Sequence, residues 1–474
     1  MPAIPDTKGE DMVTTGSRQY ALGLLLAVFA LNFMDRQILA ILLQPIKEDL
    51  HLSDAQLGLL SGFAFALFFT TVGIPLAQWA DRGKRRRIIA GSLAVFSGMT
   101  ALCGLATNFW QLALARTGVG VGEAGTNPAS HSIIADLYPM AGRSTAMAVF
   151  ALGPHVGLVL GFVWGGWANQ WYGWRVAFLA AGLPGLLLAA VLHWTLREPA
   201  RGHADGVSVR VKEPPSLAAV CRGIWAQHSL RHVFAGATLA SFLVYSVLTW
   251  LPAALARTHH MGTGAIGLAL ALIVGVAGGA GTYLGGRLAD ALAHRGEVWR
   301  VRIVALGLVA GTPWWIGACF AETPAAMLSW LILPGMLLGL FIGPTFAIVQ
   351  ALVDVRSRAV AAAILLFVFN LVGLGLGPLA VGALSDLLEP RWGVDSLRFA
   401  LLIVVPISLW GACHYARAGR TLGADLARVA ASQGWADASG PVPIFIPLSR
   451  EPCLDGSSSA ERRVDSRHRG PFQP

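Results

Sequence analysis

Two short runs hold side chains that could move a proton or bind an anion. One is Asn32-Phe33-Met34-Asp35-Arg36, and the other runs from Ala115-Arg116 to Gly122-Glu123-Ala124, with Asn127 and His131 after it. Both lie within strongly apolar sequence. An ionisable side chain at membrane depth costs about 2.5–3.5 kcal/mol on insertion scales, so each needs a partner or a task. Arg116 and Glu123 are seven residues apart, nearly two helical turns, and so share a helix face. Asn127 and His131 continue that face at four and eight residues from Glu123. At 1.5 Å per residue, Asp35 lies about 24 Å from the start of its helix and Arg116 about 9 Å from the start of its own. The two helices run in opposite directions, so these levels are similar, and an Asp35–Arg116 or an Arg36–Glu123 contact is geometrically open. Burial favours the neutral form of a carboxyl group and a neighbouring arginine favours the charged form. An acid balanced between them can take up and release a proton as its surroundings change. The competing reading is a pair of buried ion pairs that only lock two helices together. Against that lock, the second half of the chain has no counterpart. At an offset of about 216 residues Arg116 falls on Ile332 and Glu123 on Gly339.

The elements that position these residues follow from composition. Of 474 residues 55% are apolar and only 13% charged, with a mean hydropathy of +0.60. Soluble proteins carry about 25% charged residues, so the polar surface is too small for a water-facing body. At roughly 20 residues per membrane-spanning helix there is enough apolar sequence for about twelve. This predicts an all-α membrane protein and excludes secreted, disordered and nucleic-acid-binding classes. Spans are expected at 19–44, 56–80, 87–107, 110–137, 144–168 and 174–195, and again at 230–256, 264–290, 301–321, 325–352, 358–386 and 396–417. The domain plan is then a terminal segment (1–18), a six-helix bundle (19–195), a polar linker (196–229), a second six-helix bundle (230–417) and a disordered tail (418–474). The net charge of +9 gathers in loops, above all in Asp81-Arg82-Gly83-Lys84-Arg85-Arg86-Arg87 between spans 2 and 3. The positive-inside rule places both termini and the linker in the cytoplasm, and the protein in the cell (inner) membrane. The first apolar run is too long for a cleavable signal and lacks a small-residue cleavage site. Five scattered cysteines, with no CxxC, give neither a disulfide framework nor a zinc site, and no metal or cofactor is expected.

The two sets of six spans repeat weakly. Ala80-Asp81-Arg82 after span 2 corresponds to Ala289-Asp290 after span 8, Asn127-Pro128 to Gly343-Pro344, and Arg143 roughly to Arg358. Two such halves joined by a long linker suggest alternating access around a central site. Gly120-Val121-Gly122-Glu123-Ala124-Gly125 is a literal GxGxxG, but no strand precedes it, so its glycines read as a close helix contact. His155, after Pro154, is either a pocket residue or a hydrogen-bonded histidine between helices. Asp81 and the basic run either set topology alone or form a latch. In the latch, Asp81 would meet a facing helix N-terminus and Arg85, with Asp136 nearby, holding the inner ends of the halves together.

The order of these motifs resembles the spinster branch of the major facilitator superfamily over about residues 18–417. The matching pieces are Asn32-Phe33-Met34-Asp35-Arg36, Ala80-Asp81-Arg82 with its basic run, and Ala115-Arg116 through Glu123-Ala124. In the second half they are Gly286-Arg287-Leu288-Ala289-Asp290 and Asn370-Leu371-Val372-Gly373. Ala77 and Lys84 depart from the loop pattern, where glycine is usual. The resemblance implies two pseudo-symmetric six-helix bundles. Asp35 and Glu123 become the proton-responsive acids with Arg36 and Arg116 as partners, and Asp81 a member of an intracellular latch with Arg82, Arg85, Asp136, Arg143 and Asp290. It also implies an amphipathic lipid substrate such as a sphingosine phosphate or lysophospholipid. Arg36 or Arg116 would receive an anionic head group. Asn32, Asn127, His131, His155, Asn370 and the aromatics Tyr245, Trp250 and Tyr283 are further candidates for the substrate path, each aromatic taken singly being more often a packing residue than a pocket one.

The expected function is secondary transport, coupled to protons, by a chain that works as a monomer. The alternatives are an uncoupled facilitative carrier and a carrier of small organic anions such as carboxylates. A membrane lipid enzyme is disfavoured, since HExxH, GxSxG and acidic metal clusters are absent from the sequence. A sensor built on a transporter fold would need a signalling domain that the sequence does not contain.

Overall fold

A computed structural model describes residues 15–199, 216–354 and 357–432. Among them every regular element is a helix. Eight helical stretches are long and apolar enough to cross a membrane. Two of these, Thr145–Thr195 with 51 residues and Val360–Val429 with 70, exceed one crossing. At 1.5 Å per residue they reach about 77 and 105 Å, against a hydrocarbon core of about 30 Å. Each therefore holds two passes. Gly173, with φ 83°, turns the first back on itself, and Gly393, with φ 51°, opens the short 3₁₀ turn that breaks the second. With Arg85–Cys103 and the segment 109–137, the passes number twelve.

Span 1 is Thr15–Leu50. Span 2 runs from Asp54–Gly58 through a π-helical segment, Leu59–Phe63, into Ala64–Arg82. Span 3 is Arg85–Cys103, and span 4 is broken into Phe109–Glu123 and Thr126–Leu137. Span 5 starts at Met140–Phe150 and continues to Gly173, beyond which span 6 reaches Thr195. A linker helix, Leu217–Ala226, precedes span 7, His228–His259. Span 8 contains a second π-helical segment, Ala271–Ala277, between Thr263–Leu270 and Gly278–Ala293. Spans 9 and 10 are Val298–Cys319 and the pair Pro324–Gly339 and Ile342–Ala351. Span 11 places a third π segment, Phe369–Leu376, between Arg358–Val368 and Gly377–Trp392. Span 12 is Ser396–Val404 and Ile407–Ser432.

Spans 1 to 6 pack among themselves, as do spans 7 to 12. The halves meet where span 5 touches span 8, span 2 touches span 11 and span 1 touches span 7. Glycines set these approaches. A methyl group on Gly122 would lie 2.5 Å from the Phe96 backbone nitrogen, and one on Gly58 2.5 Å from the Pro378 carbonyl oxygen. The glycines of the GxGxxG stretch thus bring span 4 against spans 2 and 3, because only a missing side chain leaves room.

Two boundaries differ from the sequence reading. The last helix continues past 417 to Ser432 because Tyr415, Ala418 and Leu422 lie on one buried face and Asp425 accepts the Ser229 backbone N–H at 3.0 Å. The linker is partly helical because Val220 and Ile224 bury themselves against spans 7 and 11. The tail beyond 432 and Cys453 lie outside the described residues.

Candidate functional site

Spans 1 and 4 are joined by both of the contacts that the sequence left open. Arg116 Nη1 lies 2.6 Å from Asp35 Oδ2, and Thr100 Oγ1 donates to Asp35 Oδ1 at 2.6 Å. Arg36 Nη2 lies 2.6 Å from Glu123 Oε1, with Nε donating to Oε2 at 3.4 Å. Asn32 Nδ2 donates to Thr126 Oγ1 at 2.7 Å, and that hydroxyl donates to the Glu123 carbonyl at 2.8 Å. Two positive charges thus meet two negative ones, so the cluster is neutral.

The two pairs face different ways. Asp35 lines a small enclosed space with Phe96, Thr100 and Gly185, inside the first half. Arg36, one residue and about 100° further round the helix, stacks against Phe33, Phe65 and Phe69 at 4.8–5.2 Å. It is 10% exposed against 1% for Arg116. Span 1, which carries Arg36, packs against span 7, which carries Tyr245. Tyr245 in turn lines a cavity of about 260 Å³ walled mainly by spans 7 to 11 of the second half, with Ser241, Thr282, Phe346 and, from the first half, His155 and Leu158. Nδ1 of His155 is buried and has no hydrogen-bond partner among the described residues. The walls are mainly apolar, with a few polar groups, which suits a ligand with a long apolar part.

Other predicted residues fall elsewhere. The break in span 4 at Ala124–Gly125 gives the Asn32 bond to Thr126, so Asn127 and His131 do not extend the Arg116–Glu123 cluster. His131 is exposed, with Nδ1 3.4 Å from Met147 Sδ and its ring against Phe150. Trp250 is fully buried and donates to the Pro378 carbonyl at 2.8 Å, tying span 7 to span 11. Tyr283 is 67% exposed and does not line the cavity. Asn370 donates to the Leu366 carbonyl within its own span.

The molecule has a terminal face, which carries the start of span 1 and the end of span 12, and a far face. On the terminal face Arg85 is buried and pairs with Asp136 while its backbone N–H and Nε donate to Glu198. Arg143 donates to the Ala135 and Tyr138 carbonyls, and Asp290 pairs with Arg300 at 2.8 Å. These bonds brace each half internally. The side chains of Asp81 and Arg82 lie outside the described residues.

Among the described residues, a set of bonds between the halves lies on the far face, in a clasp that the sequence reading missed. Asp54, 1% exposed at the start of span 2, takes both Arg257 Nη atoms at 2.6 and 2.7 Å. It also takes Lys47 at 2.9 Å and the Ser385 hydroxyl at 2.7 Å. Asp386 of span 11 accepts the Asp54 and Ala55 backbone N–H groups at 2.8 Å each, capping span 2 from the other half. Asn169 and Gln170 of span 5 bond Thr263 and Gly264 of span 8. The far side is therefore shut.

Comparison with known proteins agrees with this architecture. The family model described as Major Facilitator Superfamily matches residues 25–378. An MFS-type efflux pump of Mycolicibacterium smegmatis is 34% identical over 400 residues, 83% of this chain and 91% of that protein. A sphingosine-1-phosphate transporter of Danio rerio is 25% identical over 412 residues, covering 81% and 80% of the two chains. The crystal structure of a bacterial homolog of the human lysosomal transporter Spinster, inward-facing and unoccupied, matches with a TM-score of 0.79 and 28% identity. It covers 87% of this chain and 99% of its own. The chain belongs to the Major Facilitator Superfamily, as a spinster-like transporter and not an enzyme.

Proposed function

We propose that this transporter moves an amphipathic organic anion, of the sphingosine phosphate or lysophospholipid kind, by proton-linked alternating access. The observation that carries this reading is the Arg36–Glu123 pair of spans 1 and 4, with span 1 packed against span 7, whose Tyr245 lines an apolar cavity. Arg36 is a cation whose carboxylate partner is replaceable by a phosphate head group. The unpartnered His155 Nδ1 and the Tyr245 hydroxyl are further polar groups for the head, while the walls of spans 7, 8 and 10 receive the chain.

Charge couples the two events. When a substrate anion takes Arg36, Glu123 loses its partner in a site where an isolated charge is costly. A proton on Glu123 removes that cost, so anion binding and proton uptake favour each other. Asp35, held by Arg116 and the Thr100 hydroxyl, is the second proton-responsive acid, reached through the same span 1 helix. The terminal face is the cytoplasmic one, by the basic loops it carries, and the protein sits in the cell membrane as a monomer. With the far face shut, the state described above is the inward-facing one. Asp81, Arg82, Arg85, Asp136, Arg143 and Asp290 are then the cytoplasmic latch, which would hold the halves together in the opposite, outward-facing state.

Flux in proteoliposomes loaded with lysophospholipid or sphingosine phosphate, with and without a pH gradient, tests this. The gradient is expected to accelerate flux in the natural protein and not in Glu123→Gln. Flux that ignores the gradient and survives the substitution marks a facilitative carrier. Absence of lipid flux from folded protein overturns the substrate assignment.

A further inference from the structure

The linker helix Leu217–Ala226 leaves an apolar face uncovered. Ser216 caps it, its hydroxyl accepting the Ala219 N–H. Val220 and Ile224, four residues apart, are its buried side chains and pack at the starts of spans 7 and 11. At 100° per residue, Leu217, Cys221 and Trp225 form the adjoining stripe. Leu217 is 62% and Trp225 73% exposed, and Cys221 is exposed between them. Arg222, the single charged residue of the helix, stands at the edge of that stripe and is exposed. One continuous apolar arc is thus half covered by protein and half open.

The helix lies where the membrane begins. Only Gln227 separates Ala226 from His228, the first residue of span 7, and its side chain donates to the Leu352 carbonyl at 3.0 Å, fixing the corner. We propose that this helix is an interfacial anchor, with its Leu217–Cys221–Trp225 face seated at the headgroup–acyl boundary of the leaflet on the terminal face and Arg222 reaching lipid phosphate. Tryptophan favours that layer, and a long cationic side chain at the rim of an apolar face extends to the headgroups. A protein partner fits less well, since three side chains on ten residues offer far less than the about 800 Å² per partner of a stable interface. The anchor rests on the membrane-spanning fold alone, not on the substrate or the proton linkage.

Spin-label collision measurements on the full chain, in liposomes of phosphatidylcholine with phosphatidylglycerol, test it. Cys413 and Cys453 are replaced by alanine, the buried Cys103 and Cys319 are left, and the label is placed on Cys221. Collisions with oxygen are expected to exceed those with a water-soluble nickel chelate present on both sides of the membrane. A label at Arg222→Cys, in the same background with Cys221→Ala, is expected to meet several-fold more nickel. Nickel-dominated collisions at Cys221 overturn the anchor and put the face in water. Low collisions with both reagents also overturn it, showing a protein covering. A label at Trp225→Cys, with Cys221→Ala, gives the same discrimination should the first labelled chain fail to fold.

Discussion

Asp35 and Arg36 are neighbours in sequence that serve different surroundings, and substitution should separate them. Asp35→Asn leaves the guanidinium of Arg116, itself 1% exposed, without a countercharge. Breaking a buried pair from one side costs about 3–5 kcal/mol, so a large loss of thermal stability in detergent is expected. Both amides still offer an oxygen, but Arg36 is more exposed than Arg116 and its guanidinium stacks on three phenylalanines, so the loss of stability in Glu123→Gln should be clearly smaller. Equal losses in the two variants would contradict this division. The four charged residues were legible because each interrupts an apolar run at helical spacing, and the depth argument allowed both pairings. Asp54, Arg257 and Asp386 were not legible. Charges near the ends of spans look like ordinary water-facing residues, and nothing local links residues 203 and 332 positions apart. Two of the three candidate aromatics were undecidable for a related reason. Trp250 and Tyr283 both sit in apolar runs, and only packing decides that one is sealed against Pro378 while the other points outward.

Among elements, the far-face clasp makes span 2, span 7 and span 11 a single closure. Removing Arg257 by substitution with alanine takes away both of its bonds to Asp54 and leaves Lys47 and Ser385 as partners. Arg257→Ala is expected to shift the population toward a state open on that face. Spin–spin distances between labels on the far ends of spans 1 and 7 should show a longer component, and an unchanged distribution would remove the clasp from the gating apparatus. Span 4 shows how sequence periodicity misleads at a break. Asn127 and His131 keep their spacing from Glu123 on paper, yet Ala124 and Gly125 interrupt the helix and Thr126 takes the bond to Asn32. The break sits beside a close approach of span 4 to span 3. Gly122→Val should prevent span 4 from reaching Phe96 and lower the yield of folded protein, read by size-exclusion chromatography.

For the whole molecule, membrane class and helix count followed from composition and apolar run length, because a bilayer admits few alternatives to helices. The state of the transporter did not, since it depends on which face carries the bonds between halves. That face can be locked. Asn169 Nδ2 and Thr263 Oγ1 are 3.1 Å apart across the halves. The double substitution Asn169→Cys and Thr263→Cys should form a disulfide on oxidation that stops flux, with recovery on reduction. Flux that continues through the oxidised form would mean that the far face need not part.

The three π-helical segments carry a different consequence. Leu59–Phe63 and Phe369–Leu376 lie against each other across the halves, and Ala271–Ala277 lies against span 5. A π turn is wider than an α turn and pairs each amide one residue further back. Such a turn can travel along its helix by exchanging one hydrogen bond at a time, so the end of the helix reorients without unwinding. Amide hydrogens in these three segments should therefore exchange with deuterium faster than those of the buried helices flanking them, and slow down in the form held by the disulfide.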